Sequence, residues 1–287
     1  MKVMITGANG QLGNDLCREL SLTDVVPLTH AEIEVSDIDS IRQAFNKHKP
    51  SVVVNTAAFH RIDDCETDPD TGFRVNTIGA RNVAVVAQEF GCKLVHISTD
   101  YVFGGCQTHS VPFTEFDATV PVNIYGKSKL AGEELVRQLC SKHFIVRTSG
   151  LFGIAGASGK DGNFVETMVR LSQERDELRV VNDQFFSPTY TKDLAEKIAE
   201  LINTEYYGVF HITNKGFCSW YEFAREILNI YGSKTPVAAI TSDQYPQKAK
   251  RPYFSVLDNY HLRLLGIDEL RPWREALRDY MVNKGYI

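Results

Sequence analysis

The sequence predicts an α/β fold, a doubly wound parallel sheet joined to a smaller α/β lobe. Three observations predict it. A short apolar run, Lys2-Val3-Met4-Ile5, ends in a glycine turn that opens a helical pattern at Leu12. Compact, mostly apolar runs then alternate with amphipathic stretches to about residue 150, as strands buried on both faces do. Beyond that point the alternation loosens, and four of the ten prolines fall between residues 233 and 272. The expected division is a larger domain over residues 1–150 and a smaller lobe over residues 151–287, interleaved with the end of the first.

After the first strand come Gly7, Gly10 and Gly13, followed by Leu12, Leu16 and Leu20 at helical spacing. Strand, glycine turn and helix form the unit that binds a dinucleotide. The glycines allow a tight turn and close approach of backbone to pyrophosphate, and the helix N-terminus offers N–H groups and a positive dipole end. The same glycine spacing recurs at Gly153, Gly156 and Gly159, but Lys160-Asp161-Gly162 follows it in place of an amphipathic helix. That second copy also fails the phosphate-loop pattern, with Ile154 at its first glycine and Asp161 at its Ser/Thr. The first copy is therefore taken as the cofactor turn, and residues 1–150 as a dinucleotide-binding domain.

Val25-Val26-Pro27-Leu28 reads as the second strand. Ser36-Asp37 caps a helix with apolar positions Ile38, Ile41, Ala44 and Phe45, stopped by Pro50. Ser51 to Asn55 is a buried strand, Thr71 to Phe90 a long helix, and Leu94 to Ile97 a strand ending at Ser98-Thr99-Asp100. A helix bearing Tyr125 comes next, then the strand Phe144 to Arg147. In the second part, helices are expected over Asn163 to Arg175, Thr191 to Ile202 and Trp273 to Lys284, and strands over Leu178 to Val181 and Val209 to Ile212. Ser219-Trp220-Tyr221-Glu222 is a capping box that opens a helix to Tyr231.

If Tyr125 lies in the first turn of its helix, Lys129 shares its face. The stripe continues through Gly132, Leu135, Val136 and Leu139, so the pair sits at the polar end of a core-facing surface. A lysine there suits chemistry better than solvation. Free tyrosine, with a pKa of about 10, exchanges protons poorly at neutral pH, and a neighbouring ammonium favours its phenolate. Spacing alone decides nothing, because Tyr280 and Lys284 share it. Context decides. Ligands of such sheets bind beyond the carboxyl ends of the strands, where the chain puts the Gly7 turn, Glu34 to Asp37, Asn55-Thr56-Ala57-Ala58 and Ser98-Thr99-Asp100.

The net charge of -5 and the lack of a basic tract give nucleic acid no footing. No uncharged apolar run approaches the length of a membrane span. Six scattered cysteines, with no CxxC and no histidine at ligand spacing, argue against disulfides and a metal site and for a reducing compartment. The N-terminus enters a strand directly, without a signal peptide, so a cytoplasmic location is expected.

Gly10-Gln11-Leu12-Gly13, Asn55-Thr56-Ala57-Ala58, Ser98-Thr99-Asp100-Tyr101-Val102-Phe103 and Tyr125-Gly126-x-Ser128-Lys129-x-Ala131-Gly132-Glu133 together resemble the dTDP-4-dehydrorhamnose reductase family of the extended short-chain dehydrogenase/reductase superfamily. Gly162-Asn163-Phe164-Val165 and Asp183-Gln184-x-x-Ser187-Pro188-Thr189-Tyr190 carry the likeness through most of the chain.

The resemblance implies a Rossmann-type domain with a substrate-binding lobe, and hydride transfer from NAD(P)H to C4′ of a 4-keto-6-deoxy nucleotide sugar. It implies Tyr125 as proton donor, Lys129 as the holder of the nicotinamide ribose that lowers the Tyr125 pKa, and Thr99 as hydrogen-bond partner of the reacting oxygen or the tyrosine. Gly7, Gly10, Gln11 and Leu12 would cradle the pyrophosphate, Ala57, Ala58 and Phe59 line the ribose side, and Glu34 and Val35 flank the adenine. Thr99, Asp100 and Arg251 are the implied substrate contacts. Arg251-Pro252 resembles a motif of the C-terminal lobe, with an ordinary loop arginine as the other reading. A homodimer is left open.

Two departures stand out. Many of these reductases carry Trp after Arg-Thr-Ser, where this chain has Gly150, and the run from Gly153 to Gly162 is longer than the commonest form. Tyr101 occupies the position where related dehydratases place Glu, which favours reduction over elimination. Another nucleotide-sugar 4-reductase or epimerase is an alternative. So is a non-catalytic dinucleotide-binding subunit resembling the regulatory subunit of methionine adenosyltransferase. Thr29 and His30 stand near the end of the second strand, with Glu32 further on. NAD enzymes usually keep an acid at that end, so the cofactor leans to NADP, with NAD or dual use as the alternative.

Overall fold

Alternate residues of the first strand, β1 (Lys2–Thr6), face opposite sides, and both sides are buried. Val3 and Ile5 join one apolar cluster and Met4 another. The computed structural model behind this description covers residues 1–105, 110–156 and 162–287; Cys106, Gly159, Lys160 and Asp161 lie outside the described residues.

From β1 the chain runs through α1 (Gln11–Glu19), β2 (Asp24–Leu28), α2 (Ile38–His48) and β3 (Val52–Asn55). Asp37 caps α2, accepting the Asp39 N–H at 2.9 Å. The helix expected over Thr71 to Phe90 is built differently. A short α3 (Ile62–Thr67) precedes it, and α4 (Pro69–Phe73) begins at a proline. A π-helical turn, Arg74–Gly79, then leads into α5 (Ala80–Glu89). The wide turn inserts an extra residue into the helical ladder. Its Asn76 exchanges hydrogen bonds with the Phe59 backbone at 2.8 and 3.0 Å and donates to Ser128 Oγ at 3.0 Å.

Next come β4 (Lys93–Thr99), a 3-10 turn (Asp100–Val102), α6 (Ile124–Leu139) and β5 (His143–Thr148). After β6 (Leu151–Phe152), α7 (Phe164–Glu174), β7 (Leu178–Val181), β8 (Phe185–Phe186) and β9 (Thr189–Tyr190), the chain returns to the larger sheet with α8 (Thr191–Leu201) and β10 (Gly208–His211). The sheet order is β10-β5-β4-β3-β1-β2, and every pairing is parallel. One face packs on α1 and α8, through Leu16, Leu194 and Ile198. The other packs on α2, α5 and α6, through Ile41, Val83 and Val136. The order reverses between β1 and β3, which opens a crevice at their carboxyl ends.

β11 (Cys218–Ser219), α9 (Trp220–Tyr231), β12 (Val237–Ile240) and α11 (Trp273–Asn283) complete the lobe, while α10 (Tyr260–Leu264) packs beside β10 with Leu262 in the core of the larger sheet. The lobe's core gathers α7, α9 and α11 around Phe152, Phe223, Trp273 and Tyr280. The capping boxes Asn163/Glu166 and Ser219/Glu222 both form. Tyr280 and Lys284 are structural. The Tyr280 hydroxyl accepts Asn163 Nδ2 at 3.1 Å, and Lys284 Nζ donates to the Ile154 carbonyl at 2.8 Å. No helix among the described residues is long and apolar enough to cross a membrane.

Candidate active site

Asn123 starts α6 by accepting the Gly126 N–H at 2.8 Å, which puts Tyr125 in the first turn. Its amide also donates to the Lys250 carbonyl at 2.8 Å, tying the helix start to the lobe. Lys129 and Glu133 follow at intervals of four, and both are buried. Glu133 closes the motif around Tyr125, but the sequence pattern gave it no role. Its carboxylate takes Arg147 Nε at 3.0 Å and Nη2 at 2.7 Å, and it accepts the Ser98 hydroxyl. A full charge is affordable there only because it is paired and hydrogen-bonded.

Lys129 Nζ donates to the Ile97 carbonyl on β4 at 2.6 Å. Burial pushes its pKa down to about 8, against the opposing charge of Glu133. Two residues further along β4, the Thr99 hydroxyl donates to Asp100 Oδ1 at 3.0 Å and lines the same cavity as Tyr125. Asp100 Oδ2 accepts Ser149 Oγ at 2.8 Å and Ser255 Oγ at 2.6 Å. Burial raises the Asp100 pKa to about 6 in spite of these three hydroxyls.

The Tyr125 pKa is shifted upward. Burial raises it, the nearby Thr99 hydroxyl opposes that, and the Asp100 charge reinforces it. Lys129, whose Nζ is turned to the Ile97 carbonyl, is not among the groups that shift it. The tyrosine is half-buried. In this state the phenol holds its proton.

Glycine turn and triad face one cavity of about 710 Å³. Gly7, Gly10, Gln11 and Leu12 line it, as do Glu34 and Val35 from the β2–α2 connection and Ala57 and Ala58 after β3. Thr99, Asp100, Tyr125 and Lys129 line it too. Phe59 and Arg251 are not among the lining residues. The Phe59 backbone is turned to Asn76, and Arg251 Nη2 is paired with Asp63 at 2.8 Å, leaving Pro252 at the cavity wall. His30 does reach the rim, although its side chain is 87% exposed and bonded to Glu34 at 2.9 Å.

The residues present suit a dinucleotide. Helix α1 has no side-chain cap and no acidic residue in its first turn, so its leading N–H groups and positive dipole end stay open to an anion. At Gly13 an added Cβ would lie 2.4 Å from the Gly7 carbonyl oxygen, so only glycine lets the helix start this close to the turn. Gln11 reaches across to the lobe, where its Oε1 accepts Asn163 Nδ2 at 3.4 Å. Glu32, the acid nearest the end of β2, is occupied by the Thr29 N–H and hydroxyl at 2.7 and 2.9 Å.

Several lining residues carried no sequence assignment, among them Ser149, Gln184, Phe186, Trp220 and Ser255. Ser149 was within reach of the rule that found Thr99, since it also stands just past the carboxyl end of a parallel strand. Phe186 and Trp220 gave no such signal.

A parallel doubly wound sheet whose glycine turn faces a Thr–Tyr–Lys set is the architecture of an extended short-chain dehydrogenase/reductase. The family model described as RmlD substrate binding domain matches residues 1–285, and the chain belongs to that family. The spore coat polysaccharide biosynthesis protein SpsK of Bacillus subtilis is 45% identical over 98% of this chain and 96% of its own length. The solved dTDP-4-dehydrorhamnose reductase of Clostridium acetobutylicum is 43% identical, with a TM-score of 0.94 over 99% of both chains. That of Bacillus anthracis, solved in complex with NADP, is 42% identical, with a TM-score of 0.93 over 98% of this chain and 99% of its own.

Proposed function

We propose that this chain reduces the 4-keto group of a dTDP-4-keto-6-deoxy sugar, converting dTDP-4-dehydrorhamnose to dTDP-rhamnose, with NADPH preferred over NADH. The observation that carries the reading is the single cavity with the glycine turn at one end and Thr99, Tyr125 and Lys129 at the other. The relatives' names and the NADP complex support the substrate and cofactor.

The bound nicotinamide supplies the hydride to C4′. Tyr125, protonated at neutral pH, gives its proton to the oxyanion that forms. Thr99 orients that hydroxyl, and Lys129 supplies a positive charge beside the cofactor ribose and the developing oxyanion. Gly7, Gly10, Gln11 and Leu12 hold the pyrophosphate, with Ala57 and Ala58 along the ribose and Glu34 and Val35 by the adenine. Asp100 contacts the sugar. Arg251 stays a candidate substrate contact only if it leaves Asp63. In this reading residues 1–150 carry the cofactor and residues 151–287 the substrate. The five described cysteines are free, which suits a cytoplasmic enzyme. A second copy of the chain is its expected partner.

Gly150 favours a second reading, a 4-reductase or epimerase for a neighbouring sugar. Oxidation of NADPH and of NADH is measured with dTDP-4-dehydrorhamnose and with other 4-keto nucleotide sugars. Turnover on another sugar but not on the first sinks the rhamnose assignment and keeps the reductase. Tight dinucleotide binding with no turnover on any keto sugar points to the binding subunit.

A further inference from the structure

We propose that Phe186, stacked on Trp220, is the specificity-determining wall of the substrate cavity, and that position 150 is glycine because the Phe186 ring fills the space its side chain would need. Gly150 has φ +54°, and a Cβ built on it would lie 2.3 and 2.4 Å from two Phe186 ring carbons. A side chain at 150 and a phenyl ring at 186 exclude each other.

The ring has nowhere to retreat. It stacks on Trp220 with centroids 3.8 Å apart and planes 18° apart, and it meets Phe223 edge-on at 5.7 Å. Its backbone is paired with Cys218 in the β8–β11 ribbon. Trp220 is braced in turn by Phe164 at 4.7 Å.

The wall stands beside the chemistry. Gly150 follows Ser149, whose hydroxyl bonds Asp100, which in turn accepts the Thr99 hydroxyl. Gly150, Phe186 and Trp220 line the same cavity as Tyr125. The cavity thus combines hydroxyls and a carboxylate from the ends of β4 and β5 with aromatic carbon from the lobe, where Trp220 is half-buried and Phe186 is 3% exposed behind it. A sugar bound between them puts its polar edge on the former and an apolar edge on the latter. An aromatic wall accepts C–H groups and a C6 methyl. It leaves a C6 hydroxyl desolvated without a partner.

The inference rests on the nucleotide-sugar reading above and names the side chain that selects 6-deoxy sugars within it. Such apolar discrimination against an added hydroxyl is worth about 10–100-fold.

The test titrates the NADP-saturated protein by calorimetry with dTDP-6-deoxyglucose and with dTDP-glucose, which differ only in the C6 oxygen. The wild type is expected to favour the 6-deoxy compound by at least tenfold on this scale. In Phe186→Ala the preference is expected to fall below about threefold, with NADP affinity unchanged. Phe186→Leu keeps apolar bulk without the flat face and is expected to lose part of the preference, so it reads the same ratio if the alanine variant fails to fold. A preference unchanged in the folded variant overturns the inference alone. Failure of the wild type to bind the 6-deoxy compound and dTDP-rhamnose overturns the nucleotide-sugar reading and the inference with it.

Discussion

The Asp100 carboxylate accepts the Ser255 hydroxyl at 2.6 Å, so the lobe reaches in and fastens the residue that follows Thr99. Ser149 bonds the same oxygen from the end of β5. Three separate segments thus meet at one buried acid, whose other oxygen takes the Thr99 hydroxyl. Their agreement sets the distance between the two walls of the cavity.

That acid should make stability fall as pH rises through the mildly acidic range. The Asp100 pKa is raised from 3.8 to about 6, so the folded chain holds its proton more firmly than the unfolded chain. Ionisation therefore works against folding, with a penalty that is absent below about 4, grows between about 4 and 6, and is complete above that. At roughly 1.4 kcal/mol per unit, the group's contribution is on the order of 3 kcal/mol. Urea midpoints compared at pH 4.5 and pH 7 should show a shallower difference in Asp100→Asn than in the wild type; equal differences would rule out Asp100 as the source.

Tyr125→Phe removes one oxygen and the proton it carries. Turnover should fall about 10²–10⁴-fold, while NADP affinity, read by fluorescence titration, stays within twofold. Full turnover in this variant would refute the proton-donor role.

Lys129, pushed down to about 8, loses its charge as pH rises through that value. In the free enzyme kcat/KM should decline above about pH 8. Lys129→Arg keeps the charge at all accessible pH, and its weaker activity should show no such decline. An unchanged alkaline limb in the arginine variant assigns the titration to another group.

At Gly13 an added methyl would meet the Gly7 carbonyl oxygen at 2.4 Å and Ala8 Cα at 2.8 Å. Gly13→Ala should push the start of α1 off the turn, costing about 1–3 kcal/mol of stability and at least tenfold in NADP affinity. Calorimetry and thermal melting read the two effects separately. Unaltered NADP affinity would show that the turn does not hold the cofactor.

Arg147 and Glu133 form a bidentate pair, 2% and 0% exposed. Arg147→Met leaves the Glu133 charge buried and should cost about 3–5 kcal/mol. Adding Glu133→Leu should recover much of that loss, because the stranded charge goes with it. Chemical denaturation of the three variants checks both statements.

The inner strands of the larger sheet were legible because they are buried on both faces and read as compact apolar runs; β3, Val52 to Asn55, is buried throughout, whereas only Leu28 of the edge strand β2 is. Thr99 and Tyr125 could be brought together on paper because parallel strands all end on one side. The π-helical turn was not legible, since an extra residue in a helix leaves amphipathic composition almost unchanged. Glu133 was hidden for a different reason. Its burial depends on Arg147, fourteen residues away in sequence and on another element. Phe186 and Trp220 meet only after the lobe folds, so the compensation for Gly150 lay in no local pattern.

Helix α8 and strand β10 finish the larger sheet from roughly 60 residues beyond the end of β5. A ribosome adding ~5–20 residues per second needs roughly 3–12 s to deliver them. Until then β5 has a bare edge, and Phe144 and Val146 lack Phe210 and Leu194 from the cluster that buries them. An open strand of this kind pairs readily with other chains. A nascent chain cut short before residue 211 is therefore an aggregation hazard, and the larger half of this protein becomes a finished object only once most of the smaller half has been made.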